Sequence, residues 1–156
     1  MKRVQASLLG GLFIGVVSAL PVVGAANYCC CLWVIIGGIL TTYLQQQSRP
    51  EPVESTEAAM LGLLSGVVGS LIYIGFSVLL LSVSGDMVES QIRSMAEQYP
   101  QLPPDVRDRL LQFTAGPSMV LLVAFVTIPM YAIFSMVGAL LGLLIFRKPK
   151  APAAQA

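Results

Sequence analysis

The chain contains no histidine and few charged residues. Only 11% of its 156 residues are charged, whereas an ordinary soluble domain has about 25%. The absence of histidine excludes His-ligated haem, the usual catalytic zinc sites and Ser-His-Asp chemistry. The formal net charge is +1, and no basic stripe is present. The sequence therefore predicts no nucleic-acid partner.

Cysteine is scarce as well, and its three copies are adjacent in the chain, at Cys29, Cys30 and Cys31. Neighbouring cysteines do not easily reach disulfide geometry, and an odd number leaves one thiol over. Thiolates bind copper(I), zinc and iron–sulfur centres, but no second ligand pair stands at suitable spacing. Small packing residues are the favoured interpretation, and a redox or metal site is the alternative. We predict no cofactor.

Long apolar runs dominate what is present, since 56% of the residues are hydrophobic. Four runs contain no Asp, Glu, Lys or Arg, at residues 6–26, 28–44, 58–83 and 117–146. About 20 apolar residues cross roughly 30 Å of hydrocarbon as a helix. The sequence predicts an all-α, polytopic membrane protein with four transmembrane helices, arranged as two helical hairpins in a single domain of residues 1–156.

The first run also has features of a secretory signal peptide. Lys2 and Arg3 precede it, and small residues follow Pro21. However, the segment GLFIGVVSAL at 11–20 recurs as GLLSGVVGSL at 62–71, inside the third run. This repeat favours a retained span, with a cleaved signal as the alternative.

Basic residues orient the predicted spans. If the spans alternate in direction, six basic residues fall on one side: Lys2, Arg3, Arg49, Arg147, Lys148 and Lys150. The positive-inside rule then places both termini, the loop 45–57 and the tail 147–156 in the cytoplasm. The connection 85–114 faces outward. Its apolar positions recur at helical spacing and predict two short amphipathic helices, either on the membrane surface or over the mouth of the bundle.

Glycines recur at four-residue spacing within the predicted spans. The predicted packing residues are Gly11, Gly15, Gly37, Gly38, Gly62, Gly66, Gly138 and Gly142. In lipid, small residues let helix backbones approach closely, which supplies packing energy where the hydrophobic effect is absent. Packing within one chain is the favoured interpretation, and packing between copies is the alternative.

These patterns favour a non-enzymatic membrane protein that acts through helix packing, either by self-association or as an accessory subunit of a larger membrane complex. No acid–base pair for an enzyme is evident. The runs also lack the ionisable residues that ion-driven carriers place inside the membrane. An oligomeric channel or small-solute permease built from repeated hairpins is the second hypothesis, and a redox or metal-binding protein is the third.

The first predicted hairpin carries the pattern LP…NYCCCLW…GG between Leu20 and Gly38, with a hinge near residues 23–27. Asn27 is expected to cap the second helix. The pattern resembles a group of small bacterial integral membrane proteins with four helices and no assigned activity. That resemblance implies a fold and a bacterial inner membrane, and it implies no reaction.

Overall fold

The computed structural model describes residues 3–20, 23, 27, 31–98, 105, 109 and 117–146. This part of the chain contains four long helices and no strand. In chain order they are α1 (Arg3–Ala19), α2 (Leu32–Gln47), α3 (Ser55–Gln98) and α4 (Pro117–Ile145). The chain is therefore all-α over its described residues, as the sequence predicts.

The first two helices are shorter than the runs from which they were predicted. α1 has 17 residues and ends at Ala19, where the sequence predicted a span to residue 26. Pro21 follows two residues later, and proline cannot continue a hydrogen-bonded helix. α2 has 16 residues, so each helix is about 25 Å long. The stretches Ser55–Leu80 and Met119–Ile145 are long and apolar enough to cross a membrane.

The end of α2 differs from the prediction in a second way. The sequence placed residue 45 at the start of a loop, but the helix continues to Gln47. Gln45 and Gln46 are both buried. A hydropathy argument assigns carboxamides to the water-facing loop, whereas here helix packing carries them into the interior.

α3 is also longer than predicted. It continues without interruption to Gln98, so the first part of the segment 85–114 extends α3 and is not a separate amphipathic helix. No proline interrupts this stretch, and the single Gly85 costs only about 1 kcal/mol in a helix. Most of residues 99–116 and the tail 147–156 lie outside the described residues.

The chain divides into two compact units, and the single domain of residues 1–156 stays a prediction. The first unit contains the described residues of Met1–Tyr73 and Thr127–Ala156. It holds α1, α2, the first part of α3 and the second part of α4. The second unit, Ile74–Val126, contains the continuation of α3 and the first part of α4.

The first unit buries polar and apolar side chains together, and many of its exposed side chains are apolar. Leu8, Leu12 and Leu64 are exposed. The buried polar side chains of this unit are Ser7, Ser18, Thr41, Thr42, Gln45, Gln46, Ser65, Ser70, Thr127 and Ser135. This number of buried polar side chains differs from a soluble protein, where such groups mostly face water. It suits hydrocarbon surroundings, in which polar groups must find partners inside the bundle.

Candidate functional site

Asn27 connects the hinge between α1 and α2 to the rest of the first unit. Its Nδ2 donates to Ser18 Oγ at 2.7 Å and lies 3.5 Å from the hydroxyl of Tyr131 on α4. Its Oδ1 accepts from the Trp33 backbone N–H at 3.1 Å. One carboxamide therefore joins the end of α1, the start of α2 and α4.

Cys31 is the residue at which the chain enters α2. It adopts a left-handed conformation, with φ 50° and ψ 40°, which is uncommon for a residue other than glycine. Its N–H donates to the Asn27 carbonyl at 2.9 Å, and its side chain packs with Ile14, Val34 and Tyr131. Cys31 occupies the N-cap position without a side-chain cap bond. Asn27 supplies the expected capping bond from four residues earlier.

The other two cysteines of the triplet, Cys29 and Cys30, lie outside the described residues. Within the described part of the chain, no group of three His, Cys, Asp or Glu residues is close enough to hold a metal ion. The redox or metal hypothesis for the triplet thus stays a prediction.

Aromatic contacts complete the hinge. Trp33 Nε1 donates to the Val23 carbonyl at 2.7 Å, and the Trp33 ring meets Phe13 edge-on with centroids 6.4 Å apart. We define the hinge cluster as Ser18, Asn27, Cys31, Trp33 and Tyr131. Because its amide, indole and hydroxyl groups bond one another or local backbone, the cluster fastens the hinge to the bundle.

The predicted packing glycines of α1 lie against α3. A Cβ atom added at Gly11 would be 2.7 Å from Val68, and one added at Gly15 would be 2.6 Å from Ile72. Both distances are too short for a real contact, so side chains larger than hydrogen would separate the helices.

The other six predicted glycines also lie against helices of the same chain. A Cβ at Gly37 would meet Ile14 of α1, and one at Gly38 would meet the Ser135 backbone of α4. The remaining four join α4 to α2 and α3: Gly62, Gly66, Gly138 and Gly142. Gly10 and Gly69, which the prediction omitted, make equally close approaches to neighbouring helices.

α2 carries two polar ridges that the spacing argument missed. Its sequence contains three doublets four residues apart, Gly37-Gly38, Thr41-Thr42 and Gln45-Gln46. On a helix, positions i, i+4 and i+8 follow one face. The first ridge is Gly37, Thr41 and Gln45, and the second is Gly38, Thr42 and Gln46. The repeated doublet is the sequence signal that would have found them.

The second ridge finds partners on α4 and the following loop. Thr42 Oγ1 donates to the Ala139 carbonyl at 2.9 Å. Gln46 Oε1 accepts from the Val53 backbone N–H at 3.0 Å. This ridge fastens α2 to α4 and to the chain that leads into α3.

The first ridge faces α1 and α3. Thr41 Oγ1 donates to the Gly37 carbonyl at 2.8 Å and lies 3.0 Å from Ser65 Oγ. Gln45 is fully buried, at 0% exposed surface. Neither its Oε1 nor its Nε2 has a hydrogen-bond partner among the described residues. The buried Ser135 Oγ of α4 also has no hydrogen-bond partner among them.

An ion cluster lies at the end of the bundle where α1 and α3 begin. Glu57 is 2.7 Å from Arg3 Nε and 2.9 Å from Arg49 Nη1. The Glu57 side chain is only 12% exposed, whereas that of Arg3 is 61% exposed. We call Arg3, Arg49 and Glu57 the Glu57 cluster.

Comparison with protein families identifies a matching family model. The family model described as the MJ1491 transmembrane domain matches residues 4–148. The chain belongs to this family. No curated protein and no solved structure matches the chain. Membership in a transmembrane family agrees with the apolar helices, and the chain is a membrane protein.

The MJ1491 transmembrane domain includes nearly every feature described above. The matched range, 4–148, contains the hinge cluster, both ridges of α2 and the Glu57 side of the ion cluster. Only Arg3 lies before it. The buried hydroxyls and carboxamides therefore belong to the interior of a transmembrane domain, where unpaired polar groups are costly.

Proposed function

We propose that this protein is a non-enzymatic integral membrane protein that acts through helix packing, by associating with its own copies or as an accessory subunit of a larger membrane complex. The observation that supports the proposal is which atoms surround each glycine. All eight predicted packing glycines contact helices of the same chain, whereas a Cβ at Gly75 would meet no atom within 4 Å.

The second unit supplies the surface for such association. Gly75 lies in α3 next to Phe76, and both Phe76 and Leu79 are exposed. In lipid, a small residue on an exposed apolar helix allows another helix to approach its backbone. The described glycines of the first unit all lie against helices of the same chain, so Gly75 of the second unit is the described glycine left open to another membrane helix.

A pair of substitutions at Gly75 tests this function. Gly75→Leu adds a large side chain into open space, so we expect the fold to be retained and association to be lost. Gly75→Ala keeps a small residue and should retain association. Native mass spectrometry from lipid nanodiscs would measure subunit number and copurifying proteins. Wild-type protein that is monomeric and carries no partner would contradict the proposal.

Gly66→Leu distinguishes lost association from lost folding. A Cβ at Gly66 would lie 2.6 Å from Ala132 Cα of α4, so this substitution should disturb the first unit itself. A Gly75→Leu protein that melts like Gly66→Leu would show that Gly75 acts within the chain.

A small-solute permease is the second candidate, and the polar ridges of α2 favour it. A path for neutral solutes requires hydroxyl and amide groups inside the bundle, and the first ridge provides them on a buried face. Stopped-flow measurement of glycerol and urea entry into proteoliposomes tests this candidate. Rates equal to those of protein-free liposomes would contradict it.

We further propose that all four helices cross the inner membrane and that both termini are cytoplasmic. The distribution of Lys and Arg supports this orientation. Gln47→Cys and Gln98→Cys should then react with a membrane-impermeant maleimide from opposite sides in intact cells and inverted vesicles. Labelling of both positions from one side would contradict the orientation.

A further inference from the structure

We propose that Gln45 binds a small neutral ligand inside the bundle, one that both donates and accepts hydrogen bonds. Water and small solutes such as urea share this chemistry. The inference does not depend on association between helices, and it uses the same first ridge as the permease candidate but requires only binding and no transport. It rests on the burial of Gln45, on its unpaired carboxamide and on the polar groups around it.

The position of Gln45 follows from the register of the three helices that meet along the first ridge. The hydroxyls of Thr41 and Ser65 are 3.0 Å apart, and a Cβ at Gly10 of α1 would meet both. We call Gly10, Thr41 and Ser65 the Thr41 layer. Gln45 lies one helical turn after Thr41 on the same face of α2.

The other two helices continue this register toward the Glu57 cluster. Ser7 of α1 lies about one turn before Gly10, and its Oγ donates to the carbonyl of Leu61, one turn before Ser65. We call Ser7, Gln45 and Leu61 the Gln45 layer. Its two polar side chains are both buried, and one further turn leads to Glu57 on α3.

The chemistry of the carboxamide selects the ligand. Its Oε1 accepts and its Nε2 donates, and neither atom has a partner among the described residues. A cation at Oε1 would leave the Nε2 donors unpaired, and an anion at Nε2 would leave Oε1 unpaired. A neutral molecule with both a donor and an acceptor satisfies both atoms.

The two sides of the Gln45 layer differ in exposure. On one side lies the Glu57 cluster, whose Arg3 is mostly exposed. On the other side, beyond the Thr41 layer, the fully buried Ile14 fills the space beside Gly37 and Gly69. We call these three residues the Ile14 layer. The ligand therefore exchanges through the end that carries the Glu57 cluster.

Magnetic resonance of the wild-type protein tests the proposal. Full-length protein with ¹⁵N-labelled glutamine would be placed in lipid nanodiscs, and magnetisation transfer from water to each side-chain amide would be measured. We expect the Gln45 amide to receive magnetisation within milliseconds and its protons to exchange in D₂O. A Gln45 amide with no transfer, no exchange and no response to added solute would overturn the proposal.

A solute titration separates the two sources of this chemistry. Addition of urea should leave the Gln45 amide unchanged if water is the resident ligand. A saturable shift of the Gln45 amide, with loss of the water transfer, would identify a small amide-like solute instead. Both outcomes place a neutral ligand at Gln45.

A matched pair of variants provides a second measurement that needs no assignment. Gln45→Met keeps the length of the side chain but removes its polar atoms, and Gln47→Met makes the same change at an exposed position of the same helix. If a ligand satisfies Gln45, Gln45→Met should lower Tm by about 3–8 °C, and Gln47→Met should not. A rise in Tm for Gln45→Met would overturn the proposal, because removing an unpaired buried amide stabilises a protein.

Discussion

Buried polar groups lie at both ends of the first unit, but the two ends differ in whether the carboxamide there is hydrogen-bonded within the chain. In the hinge cluster, both ends of the Asn27 carboxamide are bonded, to Ser18 and to the Trp33 backbone. In the Gln45 layer, the carboxamide of Gln45 has no partner among the described residues. The buried Ile14 lies between these two regions.

This difference separates a structural role from a binding role. A fully bonded polar network fixes helices in one arrangement, and the hinge cluster does this for α1, α2 and α4. A buried carboxamide without a partner gives no such fixation and costs about 1–3 kcal/mol. The neutral ligand proposed above would supply the hydrogen bonds that the Gln45 carboxamide lacks.

The largest expected effect comes from shortening the side chain of Ile14, which lies between the hinge cluster and the Gln45 layer. Ile14→Ala should destabilise the protein by about 2–5 kcal/mol, because it leaves a cavity beside Gly37 and Gly69. Unfolding by denaturant in detergent would measure this change. The control is Ile133→Ala, at an exposed position of α4, which should change stability far less. Equal effects of the two substitutions would show that Ile14 is not a packing barrier.

The apolar features of the fold could be predicted from the sequence more readily than its buried polar contacts. The uncharged runs predicted the helical character of α3 and α4, because an apolar run of that length has few alternatives. The four-residue spacing singles out eight glycines because that spacing follows one face of a helix, but it omits Gly10 and Gly69, which approach neighbouring helices as closely.

The polar interior was harder to predict. The contact of Asn27 with Tyr131 joins residues 104 positions apart, and no local pattern encodes such a pair. Hydropathy predicts a loop at Gln45 because a carboxamide prefers water, although the doublet pattern on α2 carries the correct register. The left-handed backbone conformation of Cys31 could not be predicted either, because no sequence feature distinguishes Cys31 from the two cysteines before it.

Asn27→Leu tests the hinge side of the comparison. It removes the bonds to Ser18 and to the Trp33 N–H, and we expect a loss of about 2–4 kcal/mol. Thermal unfolding in nanodiscs would measure it. Asn27→Asp is the control that keeps the acceptor for the Trp33 N–H and should lose less. A neutral effect of Asn27→Leu would contradict the structural role of the hinge cluster.

Gly10→Ala tests the Thr41 layer next to Gln45. The added methyl group would meet the hydroxyls of Thr41 and Ser65, so α1 must move away, at about 1–3 kcal/mol. Unfolding in denaturant measures the loss, and water transfer to the Gln45 amide should change with it. The control is Leu12→Ala, at an exposed position of α1. Unchanged stability and unchanged water transfer to the Gln45 amide in Gly10→Ala would show that the Thr41 layer accommodates a methyl group without movement of α1.

The smallest expected effect on stability comes from Glu57→Gln. The substitution removes the ion pairs with Arg3 and Arg49 but keeps a side-chain oxygen that can accept from them, and the two arginine side chains are 61% and 33% exposed. The loss should therefore be about 1 kcal/mol. Added salt should weaken the wild type toward the variant, since salt screens exposed charges. The exchange of the Gln45 amide with D₂O should nevertheless become faster, because the Glu57 cluster covers the end through which the ligand enters. If stability changed but the exchange of the Gln45 amide did not, the role of the Glu57 cluster would be only to join α1 and α3. The ligand would then reach Gln45 by another route.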